Sequence, residues 1–204
     1  MKPIIKCLLY TLCLLCSPHL WASEIKDNDL NYAESEVWQD SNFWEGALGG
    51  LLFHELGHVV LGMSYGGNPH LSHGSIIYPN SHFSPKASMR VSSAGFQAQW
   101  LLTELSFVAL KNNDGGLYRR YYQGAIAMHL AISTAYLLRL KDIPTSDIYA
   151  ASNTSHISRD TLAWAIFLPA ALDAYRLMGD GAPDWVAHVS LGIKAAEVGY
   201  IWQF

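Results

Sequence analysis

Residues 43–65 read FWEGALGGLLFHELGHVVLGMSY, a stretch with only two charged residues and the motif HELGH at residues 54–58. Its length is close to the ~20 residues that a helix needs to cross a bilayer. The apolar residues are not confined to one stripe, which is typical of a helix buried on most sides. The stretch therefore predicts a membrane helix with chemistry-bearing side chains at its centre.

Four more apolar stretches of similar length follow, at about residues 89–110, 117–140, 160–178 and 185–202. Half of all residues are hydrophobic and 15% are charged, against about 25% charged in an average soluble domain. We therefore expect an all-α, polytopic membrane helix bundle of about five helices. A compact soluble all-α domain is the alternative.

Polar residues interrupt these stretches: Gln97, Gln99, Glu104, His129 and Asp173. Such groups are costly inside a membrane span and tend to mark function. We expect them to face the interior of the bundle, where the two glutamines could bridge helices or orient metal ligands from a second layer.

Residues 1–22 have the pattern of a secretory signal. Lys2 and Lys6 give a positive start, residues 7–16 are apolar, and Ala22 is a small residue at which a signal peptidase could cut. A cleaved signal peptide and an uncleaved signal anchor both fit this pattern.

The residues after this segment divide into two parts. Residues 23–42 are polar and acidic and are expected to form an exported linker, and residues 43–204 to form the membrane-embedded helical domain. Because Cys7, Cys13 and Cys16 all lie in the signal segment, a mature chain would hold a metal only through His, Asp or Glu.

The HELGH motif is an HExxH pattern. In a helix, residues four apart lie on one face, so His54 and His58 can reach one zinc ion. Glu55 lies beside them, where it can take a proton from a water without binding the metal. The motif thus predicts two metal ligands and a general base.

A catalytic zinc needs a third protein ligand, and the residues leave several candidates open. Asp173 lies within an apolar helix, with a salt bridge to Arg176 at i+3 as its alternative role. Glu104 would complete a gluzincin-like set, with a hydrogen bond in helix packing as its alternative. His129 is more typical of a satisfied core histidine. The remaining candidates are the loop histidines His70, His73 and His82, for which solvent exposure is the simpler interpretation.

Three segments together resemble the site-2 protease family of intramembrane zinc metalloproteases. They are HELGH at residues 54–58, AGFQAQWLL at residues 94–102 and LDA at residues 172–174. The second is similar to the family's Ala-Gly-Pro-x-Ala-Asn segment, with Phe96 for Pro and Gln99 for Asn. The third is similar to its Leu-Asp-Gly segment, with Ala for Gly.

The resemblance implies that His54, His58 and Asp173 bind zinc and that Glu55 is the catalytic base. It implies a membrane-spanning or membrane-tethered protein substrate, cut within or near the bilayer.

The expected function is therefore zinc-dependent peptide-bond hydrolysis, with membrane lipids around the protein and the inner membrane of a bacterium as its location. A net charge of -4 gives no basic footprint for nucleic acid. Two other functions stay open: a soluble exported peptidase that uses Glu104, and a catalytically inactive membrane scaffold.

Overall fold

Helices make up most of the structure, a computed structural model that describes residues 34–72, 75–112, 118–178 and 182–204. The helices are α1 Ser41–Ser64, α2 Pro85–Asn112, α3 Arg119–Leu138, α4 Asp147–Ser155, α5 Arg159–Met178 and α6 Asp184–Gln203. Two short strands, β1 His70–Ser72 and β2 Ser75–Ile77, pair antiparallel, and 3-10 turns cover Glu34–Gln39 and Leu140–Asp142. The predicted all-α class is confirmed.

Each of the five apolar stretches forms one long helix, within a few residues of its expected ends. Two connections hold more structure than expected. The loop after α1 contains the β1–β2 hairpin, and the polar connection between α3 and α5 contains α4. The expected signal segment, residues 1–22, and most of the expected linker lie outside the described residues.

Helix α1 lies against α2 and α3. Its first turn is capped by Asp40, whose carboxylate accepts from the backbone N–H of Asn42 at 2.9 Å. Glycines allow α1 and α3 to approach at backbone distance: a Cβ at Gly46 would overlap the carbonyl of Tyr121, and one at Gly124 the carbonyl of Phe43. This close crossing fixes the start of the helix that carries the HELGH motif.

Helix α2 has neighbours on several sides, since it contacts α1, α3, α4 and α6. Its middle contributes to the main apolar cluster, made of Phe96, Trp100, Tyr136, Ile148, Ala163 and Ile166. The cluster joins α2 to α3, α4 and α5. It therefore holds the short helix α4 beside the part of α2 that faces α1.

Among the described helices, α1 alone is both long and apolar enough to cross a membrane, judged by length and composition. The expected polytopic bundle has no support from the hydropathy of the other four long helices. A soluble core helix or a signal sequence can pass the same test, so a single such helix is weak grounds for a membrane protein.

Candidate metal centre

Three side chains from two helices meet at one point. His54 and His58 come from α1, and Asp147 comes from the first turn of α4. His54 Nε2 lies 3.2 Å from His58 Nε2 and 3.2 Å from Asp147 Oδ2, and His58 Nε2 lies 3.3 Å from the same Oδ2. The three atoms thus form a nearly equilateral triangle, and this group could hold a metal ion.

The other nitrogen of each imidazole is already engaged. His58 Nδ1 lies 2.8 Å from the carbonyl oxygen of Val91, and His54 Nδ1 lies 3.2 Å from Oε1 of Gln99. Because both partners are acceptors, each Nδ1 carries the hydrogen, and each Nε2 turns a lone pair toward the triangle. Two lone pairs and a carboxylate this close repel unless a positive charge lies among them, which either an extra imidazole proton or a metal ion supplies.

The triangle has the size that zinc requires. Zinc binds imidazole nitrogen at about 2.0–2.1 Å and carboxylate oxygen at about 2.0–2.2 Å in tetrahedral geometry. The three ligand atoms lie 3.2–3.3 Å apart. For an ion at these distances from them, the ligand–ion–ligand angles are roughly 100–105°, close to the tetrahedral value. Two histidines and one carboxylate also leave a fourth position for water or substrate.

Asp147 is held in place from both sides. Ser146 caps α4 by accepting from the backbone N–H of Tyr149, which places Asp147 at the first helical position. The Tyr136 hydroxyl donates to Asp147 Oδ2 at 2.5 Å. Burial raises the pKa of Asp147, but the charge of His58 and hydrogen bonds from His54 and His58 outweigh it and hold the pKa well below its usual range. The carboxylate therefore stays ionised.

The surface beneath the imidazoles is formed by α2. A Cβ on Gly95 would overlap His54 Nε2 and lie 2.5 Å from His58 Nε2, so a glycine is required there. Gly95 and Gln99 both belong to the segment at residues 94–102 that carried the resemblance. That segment contacts the two histidines directly.

Glu55 is partly buried and faces the hairpin. The backbone N–H of Ile76 in β2 donates to its carboxylate, and His54, His58 and Asp147 lie within electrostatic range. Glu55 is not one of the three residues whose ligand atoms form the triangle. It therefore lies near the triangle without contributing a ligand atom to it.

The tyrosine that follows the hairpin supports the second histidine. Tyr78 donates from its hydroxyl to the carbonyl of His58 at 2.5 Å. Burial, together with the charges of Glu55 and Asp147, raises the pKa of Tyr78 to about 12. Tyr78 therefore stays a neutral donor at physiological pH and pins the turn of α1 that carries His58.

The structure corrects the prediction that Asp173 is the third ligand. It brings Asp147 to the imidazoles instead. Asp173 is 1% exposed and accepts from Lys194 Nζ at 2.5 Å, Arg176 Nη1 at 2.9 Å and Ser190 Oγ at 2.7 Å. Its alternative role, the i+3 salt bridge with Arg176, is confirmed. With these donors around it, Asp173 is satisfied without a metal.

The other carboxylate candidate, Glu104, belongs to the same ion-pair network. Its two oxygens accept from Arg176 at 2.9 and 3.2 Å, and Lys194 donates to it at 2.6 Å. Two acids and two bases thus neutralise one another across α2, α5 and α6. Removing one member of such a buried network costs on the order of 3–5 kcal/mol. The role of Glu104 here is therefore structural.

The two glutamines that were predicted to orient the metal ligands have different partners. Gln99 contacts His54, as expected. Gln97 does not contact the histidines: its side chain donates to Ser93 Oγ and accepts from Trp202 Nε1, both at 2.9 Å. Gln97 therefore joins α2 to α6, which confirms its helix-bridging alternative, and it does not orient a candidate ligand.

The other candidate histidines that the structure describes contribute no ligand atom to the triangle. His129 is buried, with Nδ1 3.4 Å from Thr103 Oγ1 and 3.5 Å from Asp173 Oδ2, as a core histidine would be. His70 and His82 are exposed, and His73 lies outside the described residues.

The sequence did not point to Asp147 as a ligand, because this residue lies in the polar segment between two apolar stretches and not within one of them. The available signal was the pair Ser146-Asp147, a helix cap followed by an acidic first turn.

The chain matches no protein-family profile, no curated protein and no solved structure. The likeness to the site-2 proteases therefore stays a prediction that depends on three short segments.

Metal analysis should separate the two aspartates. We expect the wild type to retain about one zinc per chain, and Asp147→Asn to lose it, because the amide cannot replace the ligand charge. Asp173→Asn should keep the zinc while lowering the unfolding temperature. Measurement is by elemental analysis after dialysis. Zinc retention in Asp147→Asn together with loss in Asp173→Asn would reverse the assignment.

The two glutamines provide a matched pair for the second layer. Gln99→Leu removes the acceptor that orients His54 and should weaken zinc binding about 10–100-fold. Gln97→Leu, two residues along the same helix, should leave the affinity unchanged. Competition with a chromogenic zinc chelator measures both. Equal affinities in the two variants would show that the Gln99 contact does not tune the metal.

Proposed function

We propose that this chain is a zinc-dependent peptidase that works within or at the surface of a membrane. The observation that carries the proposal is the triangle of His54, His58 and Asp147, with Glu55 adjacent to it. Two imidazoles, one carboxylate and a free carboxylate beside them form the set that metallopeptidases use for hydrolysis. Zinc is favoured because nitrogen and oxygen ligands in a tetrahedral arrangement suit it.

The residues divide the work of peptide hydrolysis among them. A zinc ion held by His54, His58 and Asp147 would act as a Lewis acid that lowers the pKa of water and polarises a carbonyl. Glu55 takes the proton from the attacking water and returns it to the nitrogen of the leaving amine. Gln99 and the carbonyl of Val91 keep both Nε2 lone pairs directed inward. Tyr136 fixes the orientation of the Asp147 carboxylate.

The surface supports a membrane location beyond α1. Whole-helix hydropathy counts the buried charges of the ion-pair network, although these point inward. The outward faces are apolar: between Glu45 and Ser64 the exposed residues of α1 are Leu48, Leu51, Leu52 and Val60, and between Lys86 and Lys111 those of α2 are Leu101, Leu105 and Val108. Exposed apolar surface on this scale is unusual for a soluble monomer and suits lipid.

Helices α5 and α6 continue the pattern. Trp164, Leu168, Tyr175 and Met178 are exposed on α5, and Trp185, Val189, Leu191, Tyr200 and Trp202 are exposed on α6. Tryptophan and tyrosine near helix ends are typical of membrane interfaces. We therefore propose a bundle surrounded by lipid, in the inner membrane of a bacterium, that acts on a membrane-spanning or membrane-tethered protein.

Extraction tests the location. Membranes that contain the expressed chain should keep it in the pellet after sodium carbonate or high-salt washes and release it only in detergent. Release by carbonate without detergent would contradict the membrane proposal and favour a soluble exported peptidase. Glu104, the third ligand suggested for that alternative, is already committed to Arg176 and Lys194.

Activity tests the general base. Glu55→Gln should lower turnover about 10²–10⁴-fold, because the amide cannot accept the proton, while its zinc content stays that of the wild type. Glu45→Gln, an exposed position on the same helix, is the matched control and should keep full activity. The probe is a set of quenched fluorescent peptides derived from transmembrane segments, cleaved in detergent.

Undiminished turnover in Glu55→Gln would refute the catalytic role. Zinc-loaded, folded wild type that cleaves no peptide in the set would instead favour the scaffold alternative.

A further inference from the structure

Three buried polar side chains of α2 and α3 each have one polar atom with no hydrogen-bond partner among the described residues. These atoms are Nε2 of Gln99, Oγ of Ser133 and Nε2 of His129. None of the three residues is more than 1% exposed. Because buried polar groups are normally hydrogen-bonded, the three atoms need a partner that the described residues do not supply.

Two contacts fix the register between α2 and α3. Phe96 lies opposite Tyr136, with 4.9 Å between the ring centroids. Two turns further along α2, Thr103 lies opposite His129, with 3.4 Å between Oγ1 and Nδ1. Later residues of α2 thus face earlier residues of α3, so the two helices run antiparallel.

Gln99 and Ser133 fall between these two contacts. Gln99 is four residues before Thr103 on α2, and Ser133 is four residues after His129 on α3. Residues four apart in a helix lie on one face, one turn apart, so Gln99 lies opposite Ser133. His129 is one turn away and lies within electrostatic range of His54, the hydrogen-bond partner of Gln99. The three unpartnered atoms therefore border one small region of the core, next to the metal triangle.

The orientation of the Gln99 amide decides which nitrogen of His54 carries the hydrogen. Oε1 of Gln99 lies 3.2 Å from Nδ1 of His54, so Nδ1 donates and the Nε2 lone pair points into the triangle. An amide turned by about 180° would present its NH2 group to Nδ1. The hydrogen of a neutral His54 would then lie on Nε2, where it would block a metal ion. The group that binds the Gln99 NH2 therefore controls the metal site.

One water molecule can satisfy all three atoms. Nδ1 of His129 lies 3.5 Å from Oδ2 of Asp173, and a carboxylate oxygen only accepts, so Nδ1 carries the hydrogen and Nε2 is an acceptor. A water can accept from Nε2 of Gln99 and donate to Nε2 of His129 and Oγ of Ser133. Three hydrogen bonds are typical of a buried water, and a chain of this length is expected to hold several such waters.

We propose that a buried water binds here, to Gln99, Ser133 and His129. It fixes the Gln99 amide in the orientation that puts the hydrogen of His54 on Nδ1. Ser133 and His129 are thus positioning residues for the candidate metal centre, to which they contribute no ligand atom. The proposal depends on that metal centre but not on peptidase activity, so zinc affinity tests it.

Two buried serines give a matched pair of variants. Ser133 and Ser106 both have a hydroxyl without a partner among the described residues, but Ser106 lies two turns from Gln99. Ser133→Ala removes one partner of the water and should weaken zinc binding about 3–10-fold, less than a direct contact to a ligand does. Ser106→Ala should leave the affinity unchanged. Competition with a chromogenic zinc chelator measures both in detergent. An unchanged affinity in Ser133→Ala, or an equal loss in both variants, would overturn the proposal.

A double-mutant cycle separates positioning from packing. If Ser133 acts through the Gln99 amide, Ser133→Ala should cause no further loss of zinc affinity once Gln99→Leu has removed that amide. A packing defect would persist in that background. Losses that multiply in the double variant would therefore contradict the positioning role, and unfolding temperatures of all variants confirm that the fold is retained.

Crystals of the protein test the water directly. Density for one water should lie about 2.7–3.2 Å from Nε2 of Gln99, Nε2 of His129 and Oγ of Ser133. A dry core at this place, or a direct hydrogen bond between Gln99 and Ser133, would overturn the proposal. Failure of the wild type to bind zinc would refute the metal centre itself, whereas the water can be observed with or without zinc.

Discussion

Three electron-rich atoms repel one another at the site, and only a positive charge relieves this repulsion. His54 Nε2, His58 Nε2 and Asp147 Oδ2 meet at 3.2–3.3 Å, and the hydrogens of both imidazoles are committed elsewhere, to Gln99 and to the carbonyl of Val91. These three atoms are stable together only around a positive charge, which an extra imidazole proton or a metal ion supplies. The fold supplies the rest of the site. Gly95 leaves room for the imidazole rings, Tyr136 donates to the Asp147 carboxylate, and the capped helix α4 presents this carboxylate.

The buried charges of the bundle serve two separate purposes. Glu104 and Asp173 neutralise Arg176 and Lys194 and join three helices. Asp147 lacks a lysine or arginine partner among the described residues and faces the two imidazoles instead. Asp173 is already neutralised by the lysine and arginine side chains around it, whereas Asp147 faces two imidazoles whose Nε2 atoms could bind a metal ion with it. This difference makes Asp147, and not Asp173, the candidate third ligand.

The sequence predicts local features well and distant partners poorly. The long helices follow from apolar runs, and the pairing of His54 with His58 follows from a spacing of four within one helix. Asp147 is 93 residues from His54 in a polar segment, so no periodicity connects them. Asp173 attracted the prediction because an acid in an apolar run needs a partner. Its charged partners are Arg176 in the same helix and Lys194, which a packing contact between α5 and α6 supplies.

The most direct test locates the metal itself. Anomalous diffraction at the zinc absorption edge, on crystals of the zinc-loaded protein, should give one strong peak within about 2.0–2.2 Å of both Nε2 atoms and the Asp147 carboxylate. The Lys194 network should show none. A peak at Asp173 or Glu104, or the absence of any bound zinc from a folded protein, would contradict the account.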